Sequence, residues 1–225
     1  MPVVIAGGHG RVALLTTRLL TDRGLRVTGI IRHPEQAATL QAVGALPALA
    51  DLTTATPEKL AQLLTGAHAI LYAAGTGLSD APGHANPVDH DAVLTLADAA
   101  RLAGVHRFVL LSAMGAHPAA HHPADPLVET FLRAKGRADH DLLSRPDLDT
   151  TVLRPAWFRD GPGTGLVHLA AHTGPGEIDR PDAAAVLAHL LTVPATTPRL
   201  LELTRGATPV HQAVTRIAAR SLTDG

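Results

Sequence analysis

The stretch VVIAGGHGRVALLTTRLL, residues 3 to 20, decides the fold. It begins with a short apolar run, continues with three glycines within four residues, and ends in an amphipathic helical pattern. Gly7, Gly10 and Ala13 have the spacing G-x-x-G-x-x-A, and Gly8 adds a second flexible position. A glycine loop between a strand and a helix is the arrangement in which backbone N–H groups at a helix N-terminus bind a nucleotide pyrophosphate.

Each small residue of this loop has a physical reason. Gly7 allows a tight turn, Gly10 lets the backbone approach a pyrophosphate, and Ala13 permits close packing of helix on strand. The alternative is that the small residues only allow a tight, closely packed turn and bind no nucleotide. His9 lies in the same loop and either contacts phosphate or faces solvent. The predicted phosphate-binding residues are Gly7, Gly8, His9, Gly10, Arg11 and Val12.

The composition of the 225 residues favours one domain, residues 1–225, with an aliphatic core, because 46% are hydrophobic and only 2% are aromatic. The formal net charge is −1, so nucleic acid is not expected as a partner. The chain has no cysteine, which excludes disulfides. No targeting signal is visible and no run approaches about 18 apolar residues, so a cytoplasmic location without membrane contact is expected. Monomer and homodimer both remain open.

Strand-like and helical patterns alternate along the whole chain, which predicts an α/β fold with a Rossmann-type, doubly wound parallel sheet. We expect residues of about 150–225 to form the substrate side, and loops 75–86 and 113–125 to lie at the ligand-binding edge. Strands are predicted at 2–6, 26–32, 45–52, 68–75, 107–112, 149–155 and 199–204. Helices are predicted at 10–24, 34–44, from Pro57, 87–103, 126–144, 181–193 and from 208, with caps at Thr56, Asn86 and Asp125.

The end of the second strand indicates which dinucleotide is bound. An NAD site usually has an acidic residue there, whereas the segment GIIRHPEQ places Arg32 at this position. A guanidinium suits a 2′-phosphate through its charge and its forked hydrogen bonds, and Arg11 is a second candidate. The sequence therefore predicts NADP(H) rather than NAD(H), with a solvated Arg32 as the alternative.

Eight stretches carry a resemblance that extends from the first strand to beyond residue 190. They are GGHGRVA (7–13), GIIRHPEQ (29–36), ADL (50–52), LYAAGTG (71–77), AGVHRFVLLSAMGA (103–116), FLRAKGRAD (131–139), LDTTVLRPAWFRDGPGTG (148–165) and IDRPDAAAVLAHLL (178–191). In this order they resemble the atypical short-chain dehydrogenases/reductases, in the NAD(P)H-binding NmrA-like and flavin reductase (biliverdin reductase B)-like branch. The resemblance implies a Rossmann-type fold with NADP(H) along the carboxyl edge of the sheet.

The resemblance also implies which residues contact each part of the cofactor. The adenosine side would be lined by Asp51, Leu52, Ala73, Ala74 and Gly75. The nicotinamide side would be lined by Ser112, by Lys135 at the ribose, and by Pro155, Ala156 and Trp157.

The residues around the end of the strand at 149–155 have further interpretations of their own. Trp157 with Phe158 would form a substrate wall or belong to the core, and Arg154 is expected to bond loop carbonyls.

The chain departs from this resemblance at the catalytic tyrosine. Better-known members carry Tyr-x-x-x-Lys, which places the two side chains on one helical face. Here the segment is FLRAK, so Phe131 stands in place of the proton-donating tyrosine and Lys135 remains. Tyr72, the sole tyrosine, is expected in the core. An acceptor such as a quinone or flavin, which takes its proton from water or a weak donor, is therefore favoured.

Three residues are candidates for catalysis. Ser112 would orient the acceptor by hydrogen bonding or simply cap its strand, and Lys135 would hold the ribose or be solvated. His117, in the loop GAHPAAHHPADP, would supply a proton near neutral pH or be solvated. Prolines interrupt this histidine cluster and no glutamate of the zinc-protease pattern accompanies it, so no metal is expected.

These residues together predict an NADPH-dependent oxidoreductase with a small planar acceptor. The first alternative is a non-catalytic redox sensor of the NmrA-like type, which binds NADP(H) and signals to a partner. The second is a non-redox isomerase or cyclase on the same scaffold, for which the sequence offers no distinctive acid–base pair.

Overall fold

The computed structural model of the chain describes residues 1–75, 87–193 and 199–223. The helices within these ranges are α1 (Arg11–Thr21), α2 (Ala37–Ala42), α3 (Pro57–Leu64), α4 (Asp91–Ala103), α5 (Pro126–Leu143), α6 (Arg180–Leu190) and α7 (Val210–Thr223). The strands are β1 (Pro2–Ala6), β2 (Arg26–Ile31), β3 (Leu46–Leu49), β4 (Ala69–Tyr72), β5 (Arg107–Leu111), β6 (Asp149–Pro155), β7 (Trp157–Arg159), β8 (Leu166–Ala170), β9 (Glu177–Asp179), β10 (Arg199–Arg205) and β11 (Thr208–Pro209). None of the described helices is long and apolar enough to span a membrane.

Nine strands form one sheet in the order β11-β8-β10-β6-β5-β4-β1-β2-β3. Strands β3 to β10 along this order pair in parallel, whereas β8 runs antiparallel to β10 and β11 antiparallel to β8. The chain winds outward in one direction through β1, β2 and β3 and in the other through β4, β5 and β6. The predicted Rossmann-type, doubly wound architecture is confirmed, and its switch point lies between β1 and β4.

The sheet is covered on both faces, and β1 shows how the sequence produces this. Val3 and Ile5 belong to an apolar cluster that includes residues of α1, α6 and α7. Val4 and Ala6 belong to a second cluster that includes residues of α3, α4 and α5. Successive strand residues point to opposite faces, so a strand buried on both faces needs an unbroken apolar run.

Two of the three predicted helix caps are present. The Thr56 hydroxyl accepts a hydrogen bond from the Lys59 N–H, and Asp125 accepts from the N–H groups of the first turn of α5. In both helices a proline follows the cap, where its missing N–H costs no helical hydrogen bond. The third predicted cap, Asn86, lies outside the described residues; the chain after it forms a short 3₁₀ turn, Pro87–Asp89, before α4.

The segment between β6 and α6 contains strands that the sequence did not reveal. Strand β7 pairs with β9 in a separate two-stranded sheet, and β8 joins the edge of the main sheet. Strands β7 and β9 have only three residues each, too few for a periodic pattern. The predicted loop 113–125 is a loop, and loop 75–86 lies outside the described residues beyond Gly75.

Candidate functional site

The glycine loop joins β1 to α1 and brings backbone groups close to β4. Gly7 has a positive φ of 76°, and Gly10 is the N-cap of α1, its N–H donating to the carbonyl of Gly7 over 3.0 Å. A Cβ built on Gly7 would lie 2.5 Å from the backbone N and Cα of Ala74. A Cβ on Gly8 would lie 2.9 Å from the Cα of Gly29 in β2. Gly8 therefore allows the loop to pack closely against β2.

A cleft of about 350 Å³ runs along the carboxyl edge of the sheet beside this loop. It extends from the ends of β2 and β3, across the glycine loop, to the end of β4. Six lining residues were not named as site residues from the sequence: Ile30, Ile31, Gln36, Ala50, Thr53 and Val88. The residues that were named from the sequence and that line it are Gly7, His9, Gly10, Arg32, Asp51, Leu52, Ala73, Ala74 and Gly75.

At the β2–β3 end of the cleft, one acidic and one basic residue face the same space. Asp51 Oδ1 accepts hydrogen bonds from the Thr53 hydroxyl over 2.7 Å and from the Thr53 N–H over 2.9 Å. These bonds, with the charge of Arg32, hold the pKa of Asp51 below its usual value. Arg32 is exposed, and its Nε donates to Nε2 of His33 over 3.0 Å. Arg32 and Asp51 therefore both line the β2–β3 end of the cleft.

Three predicted loop residues, Gly8, Arg11 and Val12, do not line the cleft. Arg11 donates instead to the Asp160 carboxylate, which also accepts from Arg180 at the start of α6. Val12 is buried in the cluster that includes residues of α1 and α6, because α1 packs closely against α6. Arg11 thus connects the glycine loop to the C-terminal part of the chain through an ion pair between exposed side chains.

Beyond the end of β5, Ser112 belongs to a buried polar cluster. Its Oγ donates to Asp139 Oδ2 over 2.9 Å, and Nε of Arg154 donates to the same oxygen over 2.7 Å. Asp139 is 1% exposed, and none of the residues in the described ranges donates to its Oδ1. Burial raises the pKa of Asp139, whereas Arg154 and Ser112 act in the opposite direction. The expectation that Arg154 bonds loop carbonyls was wrong, because this carboxylate is within its reach.

Lys135 is neither solvated nor isolated. Its side chain is 5% exposed, and Nζ lies 3.1 Å from Oδ1 of Asp89, whose side chain is 2% exposed. Nζ also donates to the Leu111 carbonyl over 3.4 Å and lies 5.8 Å from the centroid of the Phe131 ring. A Cβ built on Gly75 would be 3.4 Å from this ammonium, so Lys135 lies against the wall of the cleft at its β4 end.

Tyr72 is a core residue, as the sequence predicted. It is fully buried in β4, and its hydroxyl donates to the carbonyl of Val88 over 2.5 Å. Burial raises the pKa of the phenol far above its usual value. A phenol in this position stabilises the segment that carries Val88 and is not available to protonate a substrate.

The remaining nicotinamide-side residues have different surroundings. His117 is exposed, and its Nδ1 accepts from the Ala119 N–H over 3.1 Å. The backbone of His117 lies so close to α5 that a Cβ on Gly136 would be 2.2 Å from it. Pro155 and Ala156 are buried at the end of β6, and Trp157 is 63% exposed at the start of β7. The cleft is not lined by His117, Pro155, Ala156 or Trp157. Ser112 and Lys135 do not line it either.

A family model described as NAD(P)H-binding matches residues 7–194. The chain belongs to the NAD(P)H-binding family. The match begins at the glycine loop and contains every residue that lines the cleft, together with Ser112, Asp139 and Lys135. The resemblance stated from the sequence motifs is confirmed at this level, and a nicotinamide dinucleotide is the cofactor class of the family.

Several known proteins are similar to this chain over nearly its whole length. An "uncharacterized sugar epimerase", YhfK of Bacillus subtilis, is 32% identical over 218 residues, which is 96% of this chain and all of that protein. A putative NAD-dependent epimerase/dehydratase from Bacillus halodurans has a TM-score of 0.87 at 26% identity and covers 96% of this chain and 99% of that one. ChuY, an anaerobillin reductase from Escherichia coli O157:H7, has a TM-score of 0.77 at 25% identity, covering 91% and 97%. These printed names include one reductase and two epimerases, and a shared fold does not by itself decide the reaction.

For this NAD(P)H-binding protein we predict that Asp160→Asn tightens dinucleotide binding. The substitution removes the carboxylate that Arg11 contacts and leaves the guanidinium free to approach phosphate at the N-terminus of α1. Because the pair is exposed, the expected gain is two- to fivefold, or roughly 0.5–1 kcal/mol. Fluorescence titration with NADPH would measure it. Asp22→Asn, at the far end of α1 where Asp22 pairs with Arg18, is the matched control and should change nothing.

Proposed function

We propose that the protein is an NADPH-dependent oxidoreductase that transfers hydride to a small planar acceptor such as a quinone or flavin. The observation that carries the proposal is the continuous cleft from Arg32 and Asp51, past the glycine loop, to Gly75. Its position outside the carboxyl ends of parallel strands, beside the glycine loop, is where a fold of this kind binds a dinucleotide. Membership of the NAD(P)H-binding family supports the same cofactor class.

The residues that line the cleft fit the adenosine and pyrophosphate parts of this cofactor. The first turn of α1 offers N–H groups and a positive helix end to the pyrophosphate, and Gly7 lets the chain turn beneath it. Asp51 and Leu52 would bound the adenine, while Pro155 and Ala156 would lie beside the nicotinamide. When bound, the cofactor supplies the hydride, so the protein has to position the acceptor and exclude competing reactions.

Phe131 determines the kind of acceptor that we propose. Its ring lies where the resemblance places a proton-donating tyrosine, and the sole tyrosine is buried elsewhere. Reduction of a simple carbonyl, which needs an acid at the oxygen, is therefore disfavoured. Trp157, exposed beside the end of β6, would form one wall for a planar acceptor, and His117 would be a proton source from the loop after β5.

The proposal is tested by mixing the protein with NADPH and a panel of acceptors. Loss of NADPH absorbance is expected with quinones and free flavins and not with simple aldehydes or ketones. Trp157 is the only tryptophan in the chain, so its fluorescence also reports binding of an acceptor. NADPH that binds without being oxidised by any acceptor would overturn the enzymatic proposal and favour a redox sensor.

Arg32→Ala is predicted to weaken NADPH binding about tenfold or more while leaving NADH binding nearly unchanged. The guanidinium would contact the 2′-phosphate, and a charge-assisted hydrogen bond to phosphate contributes about 1.5–3 kcal/mol. Titration of both dinucleotides measures the ratio of dissociation constants. Arg26→Ala is the control, because Arg26 begins the same strand at the opposite edge of the sheet. Equal weakening of NADPH and NADH would assign Arg32 a role other than phosphate recognition.

An isomerase is the second candidate, favoured by the epimerase names of two similar proteins. Such a reaction would use the bound dinucleotide catalytically and leave no net oxidation. The absence of a tyrosine at residue 131 weighs against it, because epimerisation through a ketone also needs an acid–base group at the oxygen. Conversion of a nucleotide sugar without NADPH consumption would establish this candidate.

A further inference from the structure

Two donors share one carboxylate oxygen beneath the end of β5. Ser112 Oγ and Arg154 Nε both donate to Oδ2 of Asp139, over 2.9 Å and 2.7 Å. The three residues come from β6, from α5 and from the residue that follows β5, and both Ser112 and Asp139 are buried. Burial and two simultaneous hydrogen bonds fix the arrangement more firmly than a surface contact would.

The direction of the Ser112 hydrogen bond follows from Arg154. A guanidinium Nε–H always donates and is not deprotonated in proteins. Oδ2 therefore accepts from Arg154, and a proton on the Asp139 carboxyl is favoured on Oδ1, because a protonated Oδ2 would be a much weaker acceptor for the guanidinium. The Ser112 hydroxyl consequently directs its hydrogen to Oδ2 in either protonation state of Asp139. Its oxygen retains lone pairs for a different partner.

Ser112 lies at the edge where the nicotinamide end of a dinucleotide would be. Strands β4 and β5 pair with Tyr72 opposite Leu110, so Ser112 is level with Ala74, which lines the cleft. Lys135 links the two positions, because its ammonium donates to the Leu111 carbonyl and lies 3.4 Å from a Cβ built on Gly75.

We propose that Asp139 is a positioning residue that makes Ser112 a hydrogen-bond acceptor, so that Ser112 recognises an amide or imide N–H of the ligand. This inference rests on the proposed function and narrows it. The N–H group has two possible sources, the carboxamide of the nicotinamide and the imide of a flavin-like acceptor. Ser112 does not donate to a carbonyl of the acceptor, and the proton that completes reduction comes from another group.

The test compares ligand pairs that differ only in the N–H group. The first pair is NADP⁺ and its 3-acetylpyridine analogue, in which a methyl replaces the amide nitrogen. The second pair is lumiflavin and 3-methyllumiflavin, titrated in the presence of NADP⁺. Each is measured with the wild type and with Ser112→Ala, Asp139→Ala and Asp139→Asn. Asparagine keeps an oxygen that can accept from both Ser112 and Arg154, but it carries no charge. This variant therefore separates the effect of hydrogen-bond direction from the effect of the carboxylate charge.

In the wild type one pair should differ about tenfold in dissociation constant, because an N–H donor is lost at a buried acceptor. The pair that differs identifies the source of the N–H. Ser112→Ala and Asp139→Ala should reduce this ratio to near one, and Asp139→Asn should preserve it. A merely structural Asp139 would change all affinities together and leave the ratio intact.

The remaining outcomes separate this inference from the proposed function. If NADP⁺ binds but neither ratio depends on Ser112, or if Asp139→Ala leaves a Ser112-dependent ratio unchanged, the inference is overturned and the proposed function stands. If Asp139→Asn removes the ratio as completely as alanine does, charge and not hydrogen-bond direction is decisive, which also overturns it. If neither NADP⁺ nor its analogue binds the wild type, the proposed function fails and this inference with it.

Discussion

Gly7→Ala is expected to abolish measurable NADPH binding and to lower the free energy of unfolding substantially. Alanine at a φ of 76° costs about 1–2 kcal/mol in backbone energy. Its methyl group would also lie 2.5 Å from the backbone of Ala74, which has to shift, and overpacking of this kind costs about 1–3 kcal/mol more. Ala74 lines the cleft, so the same displacement distorts the dinucleotide site.

Gly24→Ala is the matched control for this prediction. Gly24 has a φ of 77°, but a Cβ built there meets no atom within 4 Å. Denaturant unfolding of both variants therefore isolates the clash with Ala74 from the cost of a positive φ. We expect the free energy of unfolding of Gly24→Ala to fall only by the backbone cost of a positive φ, and we expect this variant to bind NADPH normally. If both variants are equally destabilised and both bind NADPH, the close approach of Gly7 to Ala74 has no energetic consequence.

The order of elements and the residues at the β2–β3 end of the cleft could be predicted because their signals are local. The apolar run at Val3–Ala6, the glycines after it and the position of Arg32 at the end of β2 all lie within about thirty residues. A parallel sheet then brings its strand ends to one edge by geometry alone. Asp51 follows in the same way from its place after β3.

The partners of Ser112 and Arg11 could not be predicted because they are distant in sequence. Ser112 and Asp139 are separated by 27 positions, and Arg11 and Asp160 by 149. Asp89 gave no signal at all, since one aspartate before a helix is ordinary. The register between elements decides which of these charges meet, and one sequence does not specify that register.

Lys135→Met is expected to destabilise the protein by about 3–5 kcal/mol, because it leaves a buried carboxylate without the cation beside it. Lys135 and Asp89 are 5% and 2% exposed at a separation of 3.1 Å, so solvent screens the pair very little. The chain has one other lysine, Lys59, which is exposed on α3. Lys59→Met should scarcely alter the denaturant midpoint and is the natural control.

Asp89→Asn combined with Lys135→Met should recover part of the lost stability, because the buried negative charge that faced Lys135 is removed together with the ammonium. The four unfolding free energies give a coupling energy between the two residues. NADPH titration of the same proteins separates this role from contact with the ribose. If Lys135 acts only at the ribose, Lys135→Met will weaken binding without destabilisation, and Asp89→Asn will rescue nothing. If it also fixes the wall of the cleft beside Gly75, stability and affinity will fall together, and the double variant will recover stability more than affinity.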